Sequence, residues 1–422
     1  MNGLRQKIEQ EIRERGPIPF SRYMELCLYD PELGYYSRHA AQFGKAGDFY
    51  TSSDVHAVFG RLLARQFEEI WRVLNCPETI TVKELGPGRG LFAQDALDWS
   101  EKKFPDFFRA LRYVLVESSP ALRGHVEQTL SRHIAAGKAV LMDDLSQAER
   151  GGPSGAEAQT QSEPHIAALK RCATQNPAAP PDAVMAPSEN PGRGAFAGAI
   201  PSIVFANEFF DALPVEIVSS HGSLRVGSQN GRFMETWVPA SAVELEFLDR
   251  YSIHPEAGER VEVPLAAQQY ARQVSGEIHQ GFFIAIDYGY TRAEQLAGRH
   301  RGTLKAIRQH SVSANPYEAP GEQDITADVN FTALATVAEE RGMHVQKLLT
   351  QSQFLMGIGE ANQFADAFED CRLPQERAKV ALQLKHLVTP AGMGESFHVM
   401  VASKGIEKEK AAGLAGLNFG RT

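Results

Sequence analysis

The chain has 422 residues, 43% of them hydrophobic and 23% charged, with a formal net charge of −9 and a pI near 5.9. A chain of this length can bury a large core and calls for about two or three structural units. Its acidic balance, with no basic tract interleaved with aromatics, excludes a general nucleic-acid binder, because neutralising phosphates needs a basic surface.

The first eighty residues predict a mostly helical region, broken at Pro17-Ile-Pro19 and looped around Gly34-Tyr35-Tyr36. Its opening residues lead into a charged helical pattern in place of a signal-peptide core, and no apolar run reaches the roughly twenty residues of a membrane span. Cys27, Cys76, Cys172 and Cys371 lie far apart with no Cys-x-x-Cys pairing, so neither a disulfide framework nor a zinc site is indicated. The expectation is a cytoplasmic protein without a metal. Gly44 and Lys45-Ala-Gly-Asp-Phe-Tyr-Thr-Ser-Ser-Asp54 precede an amphipathic helix from near His56. This segment reads either as a turn with a helix cap or as a lid whose Asp48 and Thr51 reach a cofactor's polar end.

The run Val82-Lys-Glu-Leu-Gly-Pro-Gly-Arg-Gly90 joins a short apolar stretch to Gly86, Gly88 and Gly90. Glycine suits such a loop because the chain must turn through angles that a Cβ obstructs and must approach a ligand closely. A helix from about Leu91 would offer its free N–H groups to the same pocket. Leu111-Arg-Tyr-Val-Leu-Val-Glu117 predicts a second buried strand ending in a carboxylate, which makes Glu117 the natural partner of ribose hydroxyls.

Both NAD and S-adenosylmethionine carry adenosine and use this architecture. The third glycine comes one residue earlier than in the dinucleotide fingerprint Gly-x-Gly-x-x-Gly, and Glu84 stands just before the loop. A carboxylate there repels a pyrophosphate and attracts a sulfonium or amino group, which favours S-adenosylmethionine.

From about Arg150 to Ala199 the chain is crowded with Gly, Pro, Ala, Ser and Gln without apolar periodicity, which predicts a flexible insertion. Ile203-Val-Phe-Ala-Asn-Glu-Phe-Phe-Asp-Ala-Leu-Pro214 then predicts a buried strand that delivers Asn207, Glu208 and Asp211 at its carboxyl end, where open α/β sheets bind ligands. Helix capping is the bland alternative, but polar groups among Phe205, Phe209 and Phe210 would be costly to bury idle. From about Val215 to Val263 the pattern alternates in β fashion with a turn at Gln229-Asn230-Gly231, and predicts a β-rich insertion over 215–280 that could cap the pocket. In Gly321-Glu-Gln-Asp-Ile-Thr326, Asp324 or Thr326 reads as a cap of the helix near Val329 or as a functional group.

Strands are expected at about 80–85, 111–117, 138–142, 202–206, 281–287, 343–349 and 396–403. The fold class is therefore α/β, a seven-stranded Rossmann-like sheet of the methyltransferase type. Residues 1–80 form a helical region and lid, residues 81–149, 200–214 and 281–405 the core, and residues 150–199 and 215–280 the two insertions.

These segments together carry a resemblance. Phe20-Ser-Arg-Tyr-Met-Glu25, Leu28-Tyr-Asp-Pro-Glu-Leu-Gly-Tyr-Tyr36, Gly47-Asp-Phe-Tyr-Thr51, Glu84-Leu-Gly-Pro-Gly-Arg-Gly90, Ala206-Asn-Glu-Phe-Phe-Asp-Ala-Leu-Pro214, Asp287-Tyr-Gly289, Gly321-Glu-Gln-Asp-Ile-Thr326 and Met393-Gly-Glu-Ser-Phe397 resemble the MidA family over nearly the whole length. These are S-adenosylmethionine-dependent methyltransferases that include the mitochondrial complex I assembly factor.

The resemblance implies a class I methyltransferase fold and a protein substrate methylated on arginine, in the mitochondrial branch a core subunit of respiratory complex I. It implies that Glu84, Gly86, Gly88, Gly90 and Glu117 hold the cofactor with Asp48 and Thr51 near it, and that Asn207, Glu208 and Asp211 face the reacting centre. Ser53-Asp54 and Thr326-Ala-Asp-Val-Asn-Phe331 depart from the family pattern and bear on substrate choice more than on cofactor binding. A non-catalytic assembly factor and a small-molecule methyltransferase are the alternatives. The oligomeric state stays open, a homodimer included.

Overall fold

The computed structural model describes residues 3–38, 57–145, 199–308, 311–313, 315–360 and 362–419. The expectations for Asp48, Thr51 and the insertion after Arg150 lie outside these residues.

Short apolar runs form the strands of one central sheet: β1 (Ile80–Leu85), β2 (Leu111–Val116), β3 (Ala139–Met142), β4 (Ser202–Asn207), β5 (Gly281–Tyr290), β6 (His344–Val345) and β7 (Phe397–Lys404). The order across the sheet is β3-β2-β1-β4-β5-β7-β6. The first five are parallel to their neighbours, and β7 runs antiparallel to both β5 and β6. Two further short strands, Val329–Asn330 on β5 and Leu349–Thr350 on β7, bring the sheet to nine. The expected seven-strand count thus becomes nine, on the doubly wound architecture that was anticipated.

The expected strand over 343–349 splits because its pairing slips. His344 faces Ser403 and Val345 faces Ala402, whereas Leu349 faces Val399 and Thr350 faces His398. One extra residue lies on this side of the ladder, so the pairing is interrupted in the manner of a bulge.

Helices cover both faces. On one, Ala57–Val73 and Leu91–Lys103 bury Phe59, Leu63, Phe67, Phe92 and Leu97 against Val82, Tyr113, Leu115 and Phe205. On the other, Leu265–Glu277 and Phe331–Glu340 bury Ala271, Val274, Leu334 and Val337 against Val204, Phe283, Ala285 and Met400. Apolar side chains alternate in direction along each strand, which supplies both cores from one sheet.

The N-terminal region and the β-rich insertion share a separate core. Ile18–Pro19 pairs with Gly222–Gln229, which pairs in turn with Glu216–Ser219 and Arg232–Val238. Leu4, Ile8, Phe20, Tyr23 and Met24 pack with Ile217, Leu224, Val226 and Ile325. The predicted hairpin turn is present, with Asn230 at φ 52° and Gly231 at φ 72°, the left-handed pair that a tight two-residue hairpin loop requires. Among the described cysteines, Cys27, Cys76 and Cys371 are free thiols, and burial pushes that of Cys27 up to about 12. No described helix is long and apolar enough to cross a membrane.

Candidate active site

Chain direction places the site. From β1 the chain moves outward through β2 to β3, then returns to β4 on the other side of β1, so a crevice opens between the carboxyl ends of β1 and β4. The register aligns Leu85 with both Val116 and Ala206, and Asn207 with Ile286. Gly86, Glu117 and Glu208 consequently leave the sheet along one edge, beside Asp287, which stays within β5 opposite His398.

The glycine loop turns as its composition requires. Gly86, Gly88 and Gly90 have φ of 62°, 55° and 75°, in the left-handed region that disfavours a Cβ. A Cβ on Gly86 would lie 2.9 Å from Phe209 Cδ2, whereas one on Gly88 would meet nothing within 4 Å. The loop from β1 and the turn after β4 are therefore in contact. Gly90 opens the helix Leu91–Lys103 without a side-chain cap, leaving backbone N–H groups of its first turn for a ligand.

Glu84 lies beneath this loop, buried, and accepts a hydrogen bond from the Tyr113 hydroxyl at 2.8 Å. Burial pushes its carboxyl up to about 8, the Tyr113 bond opposing only part of that. At neutral pH the carboxyl is then mostly protonated, so the full anion assumed in the attraction argument is not its resting form. The folded value lies above the ordinary unfolded value of about 4.3, so the folded state holds a proton that the unfolded state releases. The stabilisation is complete below the unfolded value and is lost as pH rises through about 8. Glu84→Gln is expected to flatten the decline in stability between about pH 5 and 8. Urea midpoints at the two pH values measure this, and an unchanged slope would assign the decline to another group.

Glu117 ends β2, buried, and accepts the Ser119 backbone N–H at 2.8 Å. Burial raises its carboxyl to about 7, with backbone bonds and Arg123 acting against it. Ser119 donates in turn to the Tyr36 carbonyl at 3.3 Å.

The turn after β4 holds an acidic group. Asn207 donates to Glu208 Oε1 at 3.0 Å, and Glu208 adopts φ 51°, an uncommon conformation for a side chain of this kind. The Oδ1 atoms of Asn207 and Asp211 are buried without a hydrogen-bond partner among the described residues. Burial raises the Asp211 carboxyl to about 7, and Lys305, which pairs with Asp328 at 3.0 Å, relieves only part of this. Phe209 and Phe210 belong to this side of the sheet, with Tyr270 beside both. Phe205 does not, contrary to expectation. Strand alternation turns it to the opposite core, where it stacks on Phe92 with ring centroids 4.6 Å apart.

The N-terminal region crosses this edge. Tyr29 donates to the Ala212 carbonyl at 2.9 Å, and Tyr36 donates to Asp324 Oδ1 at 3.0 Å. The tight loop before Tyr36 is shaped by Asp30, whose Oδ1 accepts the N–H groups of Glu32 and Leu33. Asp324–Thr326 forms a strand paired with Lys305–Arg308, and Asn330 is the cap of the following helix, accepting from Ala333 N at 3.0 Å. The helix-cap reading of Asp324 and Thr326 is thereby corrected. Tyr36→Phe is expected to cost about 1 kcal/mol through the lost bond to Asp324. Chemical denaturation measures that loss, and an unchanged midpoint would show that water replaces the bond.

Sequence reasoning passed over Tyr29, Tyr36 and Asp287 as site residues. Asp287 carried the same signal that selected Glu117, a carboxylate closing an apolar strand.

A left-handed glycine loop, an uncapped helix start and a carboxylate at the end of the neighbouring strand suit an adenosine-bearing cofactor. The model of a family of S-adenosyl-L-methionine-dependent methyltransferases matches residues 62–349. The chain belongs to that methyltransferase family. Its cofactor is S-adenosyl-L-methionine and it is an enzyme of methyl transfer.

This methyltransferase is similar to "Protein arginine methyltransferase NDUFAF7 homolog, mitochondrial" of Drosophila melanogaster, with 27% identity covering 96% of the chain and 85% of the relative. The NDUFAF7 protein of Danio rerio is 28% identical, covering 92% of the chain and 84% of the relative. A crystal structure from Burkholderia thailandensis bound to S-adenosyl-homocysteine superposes with a TM-score of 0.73 at 26% identity, covering 98% of this chain and 94% of that one. The class I methyltransferase fold and the cofactor anticipated from the sequence are both borne out.

The cytoplasmic expectation is overturned. The similar animal proteins, the human one included, are mitochondrial by name. Scattered cysteines and the lack of an apolar span do not separate the cytoplasm from another reducing aqueous compartment, so composition could not support that inference.

Proposed function

We propose that this methyltransferase acts on an arginine side chain of a protein, with the turn after β4 as the acceptor site. The observation that carries the reading is the acidic turn of Asn207, Glu208 and Asp211 beside the glycine loop, with Asp211 buried and its Oδ1 without a hydrogen-bond partner among the described residues. A buried carboxylate oxygen without a partner is costly, and a cationic guanidinium beside Asp211 would relieve that cost. The similar animal proteins are named protein arginine methyltransferases, which agrees.

In this reading Gly86, Gly88 and Gly90 give the cofactor close backbone approach, Glu117 accepts from its ribose, and Glu84 supports the loop from below. Asp48 and Thr51 are assigned to its polar end on the family resemblance. S-adenosylmethionine supplies a methyl group activated by a sulfonium. Alignment of acceptor and methyl carbon, with water excluded, is then the main task of the protein.

Glu208 grips one edge of the guanidinium through paired charge-assisted bonds, and Asn207 fixes the Glu208 carboxylate. Asp211 Oδ1 takes the proton that the methylated nitrogen gives up, a task suited to a carboxyl near 7. Tyr29 and Tyr36 close the crevice from the N-terminal region. A core subunit of respiratory complex I is the acceptor that the resemblance implies.

Incubating a native lysate with methyl-labelled S-adenosylmethionine and this protein, followed by peptide mapping, tests the assignment. Label on arginine of a protein band is expected. Label confined to small molecules would overturn it.

A further inference from the structure

Asp287 closes the apolar run of β5 and is 1% exposed. Its Oδ2 accepts three successive backbone N–H groups, from Phe209 at 3.1 Å, Phe210 at 2.9 Å and Asp211 at 3.3 Å. Its Oδ1 accepts the N–H of Tyr288 at 2.9 Å. A run of consecutive N–H groups pointing at one oxygen is a backbone nest for an anion, and here the anion is a side chain from the neighbouring strand.

The nest begins directly after Glu208, whose φ of 51° is the conformation that turns the following amides inward. Glu208 N is itself held by the Ile286 carbonyl at 2.9 Å, so β5 grips both the entrance and the body of the turn. A left-handed glutamate is a strained conformation, and the bonds to Asp287 offset the strain. The far end is fixed separately, because the Asp211 carbonyl accepts from Ala327 N at 3.0 Å.

We propose that Asp287 is a positioning residue for the acceptor site: its carboxylate holds the Phe209–Asp211 backbone so that Glu208 and Asp211 present their side chains to the acceptor together. The inference rests on the acceptor reading of that turn. It assigns Asp287 no contact with cofactor or acceptor. Burial and the nearby Asp211 and Glu208 raise the carboxyl of Asp287, and its backbone donors oppose that shift.

The test compares Asp287→Ala and Asp287→Asn with the parent protein by amide hydrogen exchange, S-adenosyl-homocysteine binding and label transfer to lysate protein. In Asp287→Ala, exchange at Phe209, Phe210 and Asp211 should accelerate at least about tenfold while Gly281 to Ile286 are unchanged. S-adenosyl-homocysteine affinity should stay within about threefold, and transfer should fall about a hundredfold. Asp287→Asn keeps a carbonyl oxygen for the nest, so it should recover most of the exchange protection and lose only about tenfold in transfer. If the alanine variant does not fold, the asparagine variant decides by the same measurements.

Unchanged exchange over Phe209 to Asp211 in Asp287→Ala, affinity for S-adenosyl-homocysteine lost as far as transfer, or parental transfer in Asp287→Asn would each overturn the assignment. Exchange and binding need no acceptor. Label on a residue other than arginine would therefore refute the acceptor reading and leave the role of Asp287 to be judged on its own.

Discussion

Glu208→Ala is expected to leave S-adenosyl-homocysteine binding within a few-fold while transfer to the protein acceptor falls by roughly a hundred- to a thousand-fold. The separation follows from position. Glu208 lies at the end of β4, in the turn that Asp287 holds, whereas the glycine loop and Glu117 extend from β1 and β2. Glu208 is half-buried in the free protein, and a bound guanidinium would complete its desolvation; truncating one partner of such a desolvated charge pair costs about 2–5 kcal/mol, a loss that falls on the complex with the acceptor. Glu208→Gln removes the charge and keeps the shape, so it should retain the bond from Asn207 and still lose most of the transfer. Unchanged turnover in both variants would remove Glu208 from the mechanism.

Gly86→Val should lower both stability and cofactor affinity, the latter by about a hundredfold. Two costs combine there. A side chain at φ 62° costs roughly 1–2 kcal/mol of backbone strain, and a Cβ 2.9 Å from Phe209 Cδ2 forces repacking worth about 1–3 kcal/mol more. Gly88→Ala is the matched comparison. Its φ of 55° carries the backbone cost, but its Cβ would meet open space. Calorimetric titration with S-adenosyl-homocysteine should find Gly86→Val clearly the weaker binder. Equal losses in the two variants would show that contact with Phe209 plays no part.

The features legible in the sequence are those fixed by neighbours along the chain. The strands over 80–85, 111–116 and 202–207 are short segments rich in apolar and β-branched residues, and the glycine loop announces its left-handed angles by composition. Glu117 and the Asn207 to Asp211 turn stand where apolar runs end, so strand logic alone brings them to one sheet edge.

The rest depends on contacts between distant segments. Phe210 and Asp287 are 77 positions apart and Tyr36 and Asp324 are 288 apart, so no local pattern joins them. The slip of pairing between His344 and Thr350 depends on its partner β7 in the same way. Phe205 was legible in principle. Strand alternation sets it on the face opposite Val204 and Ala206, and grouping it with Phe209 and Phe210 ignored that the chain turns after Asn207.

In the proposed function the crevice holds S-adenosylmethionine on the β1 side and a cationic arginine on the β4 side. The most direct measurement is the affinity of the S-adenosyl-homocysteine complex for the mapped acceptor peptide, compared with the same peptide carrying citrulline in place of the modified arginine. Citrulline keeps the shape and removes the charge, so its peptide is expected to bind about a hundredfold more weakly. Equal affinity for the two peptides would contradict it.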